Sequence, residues 1–286
     1  MNMDLLALIV NLVAALLFAP LTIGLVNKTK AVFAGRHGAS VFQLYFDLAK
    51  YLHKSSPRSA SSTWIFDLAP SVSLVATLLG TGLIISGTSA LPPPSSLVLL
   101  FFLGFYFLGT ARFFAVLGAR DVASAFPDMG SAREVQFSAI AEAVLFAVLA
   151  YVAVGQGGTP PAVPRILAAG AAFVVLLSEN CRVPFDDPET HLELTMIHEA
   201  MILDNAGPDL AFILYGAALK LWAFAAFLCG LCGLAGWALP AGVLALGLVL
   251  GAVESSMARM RFKKTPFVLA SAFALAVLAL VLEVLH

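Results

Sequence analysis

Long apolar runs alternate with short polar connections along the whole chain. A helix that crosses a bilayer needs about 20 predominantly apolar residues. Eight runs come close to or meet that length: 3–26, 67–88, 96–118, 135–154, 162–179, 209–233, 237–256 and 266–285. Glycine and proline punctuate several of the gaps, as at Leu91-Pro92-Pro93-Pro94 and from Gly155 to Pro161. The pattern predicts an all-α polytopic membrane protein of about eight transmembrane helices, forming a single integral-membrane domain over 1–286. The first run has no basic segment before it and is long enough to span, so it reads as a membrane helix and not as a cleavable leader.

Two polar stretches depart from this alternation. In residues 27–58, Val41, Leu44, Tyr45, Leu48 and Leu52 recur at helical spacing, with Gln43, Asp47, Lys50 and Lys54 between them. That periodicity predicts an amphipathic helix lying in the membrane interface, and a plain surface helix is the simpler alternative. The second stretch, 179–209, holds eight of the seventeen carboxylates in the chain. A solvated loop is the simplest account of it. Against that, its acids are interleaved with Val183, Phe185, Leu192, Leu194, Met196, Ile197, Met201, Ile202 and Leu203, and it abuts an apolar run at each end. It reads as a folded acidic element at the membrane boundary, between spans five and six.

Composition narrows the class. The chain is 60% hydrophobic and 12% charged, with a mean hydropathy of +0.95. These values describe a membrane protein and not a water-soluble domain. A net charge of −1 gives no case for nucleic acid. Three cysteines are too few for a disulfide scaffold, and Cys229 and Cys232 lie within an apolar run without a second ligand pair. Lysine and arginine fix the expected orientation. They concentrate after the first, third, fifth and seventh spans, and the even-numbered connections carry only Arg165. By the positive-inside rule the odd connections are cytoplasmic, which puts both termini on the other side.

No nucleophile, metal or cofactor box is visible. His198-Glu199 is followed by Ile202, so the HExxH pattern fails. What remains is ionisable residues in or beside the membrane, which are costly there and mark pathways or fixed pairs. Glu142 lies eight residues beyond Glu134 in the fourth span, roughly 12 Å deeper. Lys220 lies well inside the sixth span. The ion-path candidates are Glu134, Glu142, Glu179, Asp186, Glu189, Glu193, Glu199, Asp204 and Lys220. A structural Glu142–Lys220 pair is the simpler alternative for the two deepest. Arg133 and Arg182 are candidates for structural pairing, with Arg182 placed to hold Glu179 or Asp186 and the turn between them. Clustered carboxylates cannot all ionise cheaply, so protons are shared and move with small changes in spacing.

The segment ENCRVPFDDPETHLEL resembles the cytoplasmic loop of subunit 1 of respiratory complex I, typically E-x-x-R-x-P-F-D-x-x-E-x-E-x-E-L. Glu179, Arg182, Pro184, Phe185, Asp186, Glu189, Glu193 and Leu194 match, and His191 stands where that family has another acid. Gly35-Arg36-His37-Gly38 with Gln43, Asp47 and Lys50 is similar to the family's amphipathic helix, with Ala39 and Leu44 in place of its prolines. Gly130-Ser131-Ala132-Arg133-Glu134 and Glu142 resemble the start of its fourth span. The continuation ELTMIHEAMILD is more similar to the branch in energy-converting, membrane-bound nickel–iron (NiFe) hydrogenases, of formate hydrogenlyase and hydrogenase-4 type.

The resemblance implies a membrane subunit of the cell inner membrane that anchors a peripheral redox arm. It would couple electron transfer there to proton or sodium translocation. It also implies that the NiFe centre and the iron–sulfur clusters belong to partner subunits, with no cofactor in this chain. Those partners would be hydrogenase-like large and small subunits and an iron–sulfur subunit on the cytoplasmic side, with antiporter-like subunits in the bilayer. Gly35, Arg36, Gln43, Asp47, Lys50, Pro184 and Phe185 would face the hydrophilic partners. A quinone-binding subunit of a complex I-type dehydrogenase, or a purely structural anchor, is the alternative.

Overall fold

The computed structural model describes residues 3–58, 62–89, 94–155, 161–186 and 196–285. Among the described residues there are ten α-helices and no strand. They are α1 (Met3–Phe33), α2 (Gln43–Leu52), α3 (Trp64–Ser89), α4 (Pro94–Asp121), α5 (Ala125–Val154), α6 (Ala162–Glu179), α7 (His198–Ile202), α8 (Gly207–Leu231), α9 (Leu239–Ser256) and α10 (Thr265–Val284). Eight of them are long and apolar enough to cross a membrane. The other two, α2 and α7, lie at one end of the bundle, here termed the loop end, together with residues 180–186 and 196–206.

The spanning helices are apolar on every side because one side meets lipid and the other meets protein. Within a bilayer the drive to bury apolar surface is weak, so helices associate through close packing and small residues. Helices α3 and α4 approach closely through glycine. A Cβ on Gly80 would lie 2.7 Å from the Gly104 carbonyl oxygen, and one on Gly104 would lie 2.7 Å from the Ile84 side chain. The innermost helix is α8, with Leu219, Leu221, Trp222 and Phe227 almost fully buried. Its Phe224 and Phe227 rings pack against Phe101 and Phe105 of α4 at centroid distances of 5.0–5.2 Å. Around this centre α1 packs on α9, and α10 packs on α5 and α6. Prolines Pro208, Pro240 and Pro266 open α8, α9 and α10, where a missing backbone N–H costs nothing.

Two helices run well beyond the apolar windows that predict them. Helix α1 continues past residue 26 to Phe33, because Lys30 in its last turn reaches Glu254 of α9 at 3.2 Å. Helix α5 begins at Ala125, ten residues before the predicted start at 135, and its first turns carry Asp128, Ser131, Arg133 and Glu134. These polar turns are covered by α7 and residues 196–197 in place of lipid. A Cβ on Gly130 would come within 2.8 Å of the Ile197 carbonyl oxygen, so only glycine permits that contact.

Helix α2 lies across α1 and α8, and none of its residues is fully buried. The Tyr45 hydroxyl donates to the Leu17 carbonyl. Behind α2, Ser56 donates to the Ala206 carbonyl at 3.0 Å and to the Asp209 carboxylate at 2.5 Å. Arg58 bridges Asp67 and Asp209 at 2.9 and 2.7 Å. Residues 53–58 are thereby tied to the start of α8.

Candidate functional site

Glu179 ends α6, and its side chain is 6% exposed. Two cations from other helices hold it. Arg112 of α4 donates through one guanidinium nitrogen to both carboxylate oxygens, at 2.7 and 2.8 Å. Lys220 of α8 lies 3.0 Å from the second oxygen and donates to the Glu179 backbone carbonyl at 2.5 Å. Such charge-assisted contacts offset the desolvation of the buried carboxylate. The other terminal nitrogen of Arg112 donates to Glu142 of α5. Arg112 therefore joins a carboxylate at the loop end to one deeper in the bundle. The Glu142–Lys220 pair considered from the sequence is not formed: Glu142 pairs with Arg112, and Lys220 pairs with Glu179.

Immediately after Glu179 the chain turns sharply. Cys181 sits at φ 48°, a left-handed conformation unusual for a residue with a side chain. Its thiol donates to Glu134 at 3.4 Å. Burial pushes this thiol well above its ordinary range, and the Glu134 and Asp186 carboxylates push the same way. The Arg182 carbonyl accepts the N–H groups of Phe185 and Asp186 at 2.8 and 3.2 Å, so the backbone of Arg182 closes the turn. Its side chain pairs elsewhere than with the acids expected, reaching Glu254 of α9 at 3.4 Å. Glu254 is fully enclosed and is shared with Lys30. The expected pairing with Glu179 is pre-empted because Arg112 and Lys220 already fill that carboxylate.

Asp186 pins the element from the other side. It accepts the Ile197 N–H at 2.8 Å and pairs with Arg259 at 3.1 Å. Arg133 donates to the Met196 carbonyl at 2.8 Å. The guanidiniums of Arg133 and Arg259 both lie 5.1 Å from the Phe262 ring centroid, within cation–π range. The Met260 N–H donates to the Pro184 carbonyl at 2.9 Å.

These groups line one side of a cavity of about 360 Å³ at the loop end. Arg112, Glu134, Glu179, Cys181, Asp186 and Lys220 supply its polar wall, and His198 and Glu199 lie on its rim. Leu44 of α2, Phe66 and Ala69 of α3 and Leu108 of α4 supply an apolar wall. Of the candidates read from the sequence, the cavity gathers Glu134, Glu179, Asp186, Glu199 and Lys220, and Arg112 connects them to Glu142. Asp204 is exposed. Glu189, His191 and Glu193 lie outside the described residues.

Gly35, Arg36, Gln43 and Lys50 are exposed on the outer side of the loop end, where Gln43 donates to Asp47 at 3.1 Å. Pro184 and Phe185 differ from the expectation that they face a partner. Both are buried inside this chain, and Phe185 is 2% exposed, because the turn folds them into the bundle core. Arg112, Glu254, Arg259 and Lys30 join the site although no motif in the sequence marks them. The signal for Arg112 and Glu254 is a lone charge inside an apolar run. Among the described residues, no group of three or more His, Cys, Asp or Glu side chains is placed to hold a metal ion.

A family model described as NADH dehydrogenase matches residues 5–284. Formate hydrogenlyase subunit 4 of Escherichia coli (strain K12) is 28% identical over 293 residues, covering 92% of this chain and 93% of that protein. The fold is similar to a chain of the membrane-bound sulfane sulfur reductase, an archaeal respiratory membrane complex. That match has a TM-score of 0.77 at 16% identity and covers 98% of this chain and 99% of the other.

Proposed function

The chain belongs to the NADH dehydrogenase family, that of complex I subunit 1, and from that premise we propose that it is the membrane subunit of a multi-subunit oxidoreductase of the membrane-bound hydrogenase type. It anchors a peripheral redox arm on the cytoplasmic face and couples electron transfer there to proton or sodium movement. The loop end faces the cytoplasm, where the basic residues concentrate, and the termini face the opposite side. The NiFe centre and the iron–sulfur clusters belong to the hydrophilic partners. The 28% identity to a formate hydrogenlyase subunit supports this assignment.

One observation carries the coupling role: Arg112 is shared between Glu179 at the loop end and Glu142 farther into the membrane. Glu179 is one residue from the turn that starts the acidic element. A shift of that turn changes the distance from Glu179 to Arg112 and Lys220. Because Arg112 contacts both carboxylates, a movement of the turn at Glu179 is passed through Arg112 to Glu142. The residues of this chain thereby link a movement of the loop to a carboxylate in the membrane.

The test is Glu142→Gln in the intact complex, which keeps shape and hydrogen bonding and removes titration. Assembly and electron transfer from an artificial donor stay normal, and ion movement in sealed vesicles is lost. Ion movement at the wild-type rate makes Glu142 structural and favours the plain-anchor reading. The apolar wall of the cavity, formed by Leu44, Phe66, Ala69 and Leu108, favours a second reading, a quinone-binding subunit. A photoreactive quinone analogue that labels this wall in the assembled complex would establish that reading.

A further inference from the structure

Glu142 is left incomplete by this chain. It lies 17 residues after the first residue of α5 and 12 before the last. At 1.5 Å per residue it is about 18 Å from the nearer end of the helix, within the hydrocarbon of a bilayer. Its side chain is nevertheless 44% exposed, against 6% for Glu179 and 13% for Arg112. The exposed part opens sideways, into a groove of about 820 Å³ between α4 and α5, separate from the loop-end cavity. Tyr106, Phe113 and Phe146 line the groove, together with Gly109 and Ala139. A Cβ on Gly109 would sit 3.9 Å from both the Arg112 and the Glu142 terminal atoms, so this glycine leaves the ion pair open to the groove.

The Glu142 carboxylate is only half served. Its Oε1 shares Arg112 with Glu179, Lys220 goes to Glu179, and its second oxygen has no donor among the described residues. Lipid does not complete the site. Acyl chains offer no hydrogen-bond donor, and headgroups lie roughly 15 Å from the bilayer centre. A second copy docked through the same face by two-fold symmetry would bring a second Glu142–Arg112 pair to the interface and add no unshared cation. A transmembrane helix with a positive donor at this depth satisfies both the groove and the charge.

We propose that the α4–α5 groove receives a membrane-spanning helix of another subunit, carrying a lysine or arginine that pairs with Glu142. The proposal rests on the reading that this chain works inside a membrane complex, and it names the face through which the membrane partner joins.

The test uses the purified intact complex with a photo-cross-linking phenylalanine analogue at Tyr106, Phe113 or Phe146, all exposed in this chain. The expected result is an adduct from each position to an apolar peptide of another subunit, with a lysine or arginine within one helical turn. Replacing that basic residue by methionine lowers the adduct yield. Ala139→Trp, which fills the groove, abolishes the adducts and releases the membrane partner, while the hydrophilic subunits stay bound. Adducts to lipid alone, to a second copy, to a hydrophilic subunit or to a helix without a basic residue at that depth overturn the proposal. The two readings fail separately. If Glu142→Gln stops ion movement but no helix adduct forms, the docking falls and the coupling role stands. If the adducts form and Glu142→Gln moves ions normally, the coupling role falls and the docking stands.

Discussion

Glu179, Lys220 and Cys181 show how single residues set this site. Lys220 lies 13 residues into α8, but its long stem brings the ammonium to Glu179 at the end of α6. Depth in the sequence is therefore a poor guide to where its charge sits. Burial, and after it the Glu134 and Asp186 carboxylates, push the Cys181 thiol well above its ordinary range, which disfavours the thiolate. Since the thiolate is the reactive form, Cys181 is expected to resist alkylation. Cys232, exposed after α8, is expected to react. Maleimide labelling of the native complex at pH 7, read by mass spectrometry, checks this: modification at Cys232 without modification at Cys181. Labelling of Cys181 at an equal rate would show that the turn opens freely.

At the scale of elements, the acidic segment is fastened to four helices by different residues. Glu179 ties it to α4 and α8, Arg182 to α9, and Glu134 with Arg133 to α5. Glu254 is the anchor on α9, holding both Lys30 and Arg182. Breaking a buried pair by removing one partner costs about 3–5 kcal/mol, because the remaining charge stays desolvated. Arg182→Ala is therefore expected to lower the yield of assembled complex on native gels. Arg165→Ala, at the opposite end of the bundle, is expected to leave that yield unchanged. Equal yields from both variants would show that Lys30 alone satisfies Glu254.

At the scale of the molecule, α2 and the acidic element lie side by side at one end of an eight-span bundle, tied together through Ser56, Arg58 and Asp209. Gly35, Arg36, Gln43 and Lys50 are exposed there. These exposed groups are expected to be covered by hydrophilic partner subunits. Limited proteolysis of inside-out vesicles checks this: residues 34–58 are cleaved when the peripheral subunits are stripped and protected when they are bound. Cleavage at the same rate in both states would place the partner elsewhere.

The sequence by itself determined the class and the eight spans. Those signals are local: apolar runs of membrane length separated by polar gaps. The amphipathic helix was legible for the same reason, as α2 occupies Gln43–Leu52 within the periodic stretch. Only the tertiary structure decided which charges pair. Arg112 counts in the sequence as one more basic residue near a connection, but it is nine residues inside α4 and is shared by Glu179 and Glu142, 67 and 30 positions away. The same holds for Glu254, which meets Arg182 across 72 positions. A buried charge is satisfied by whichever opposite charge the helix packing brings within about 4 Å. That proximity is set by helix–helix contacts distant in the chain, and no pattern along one helix encodes it.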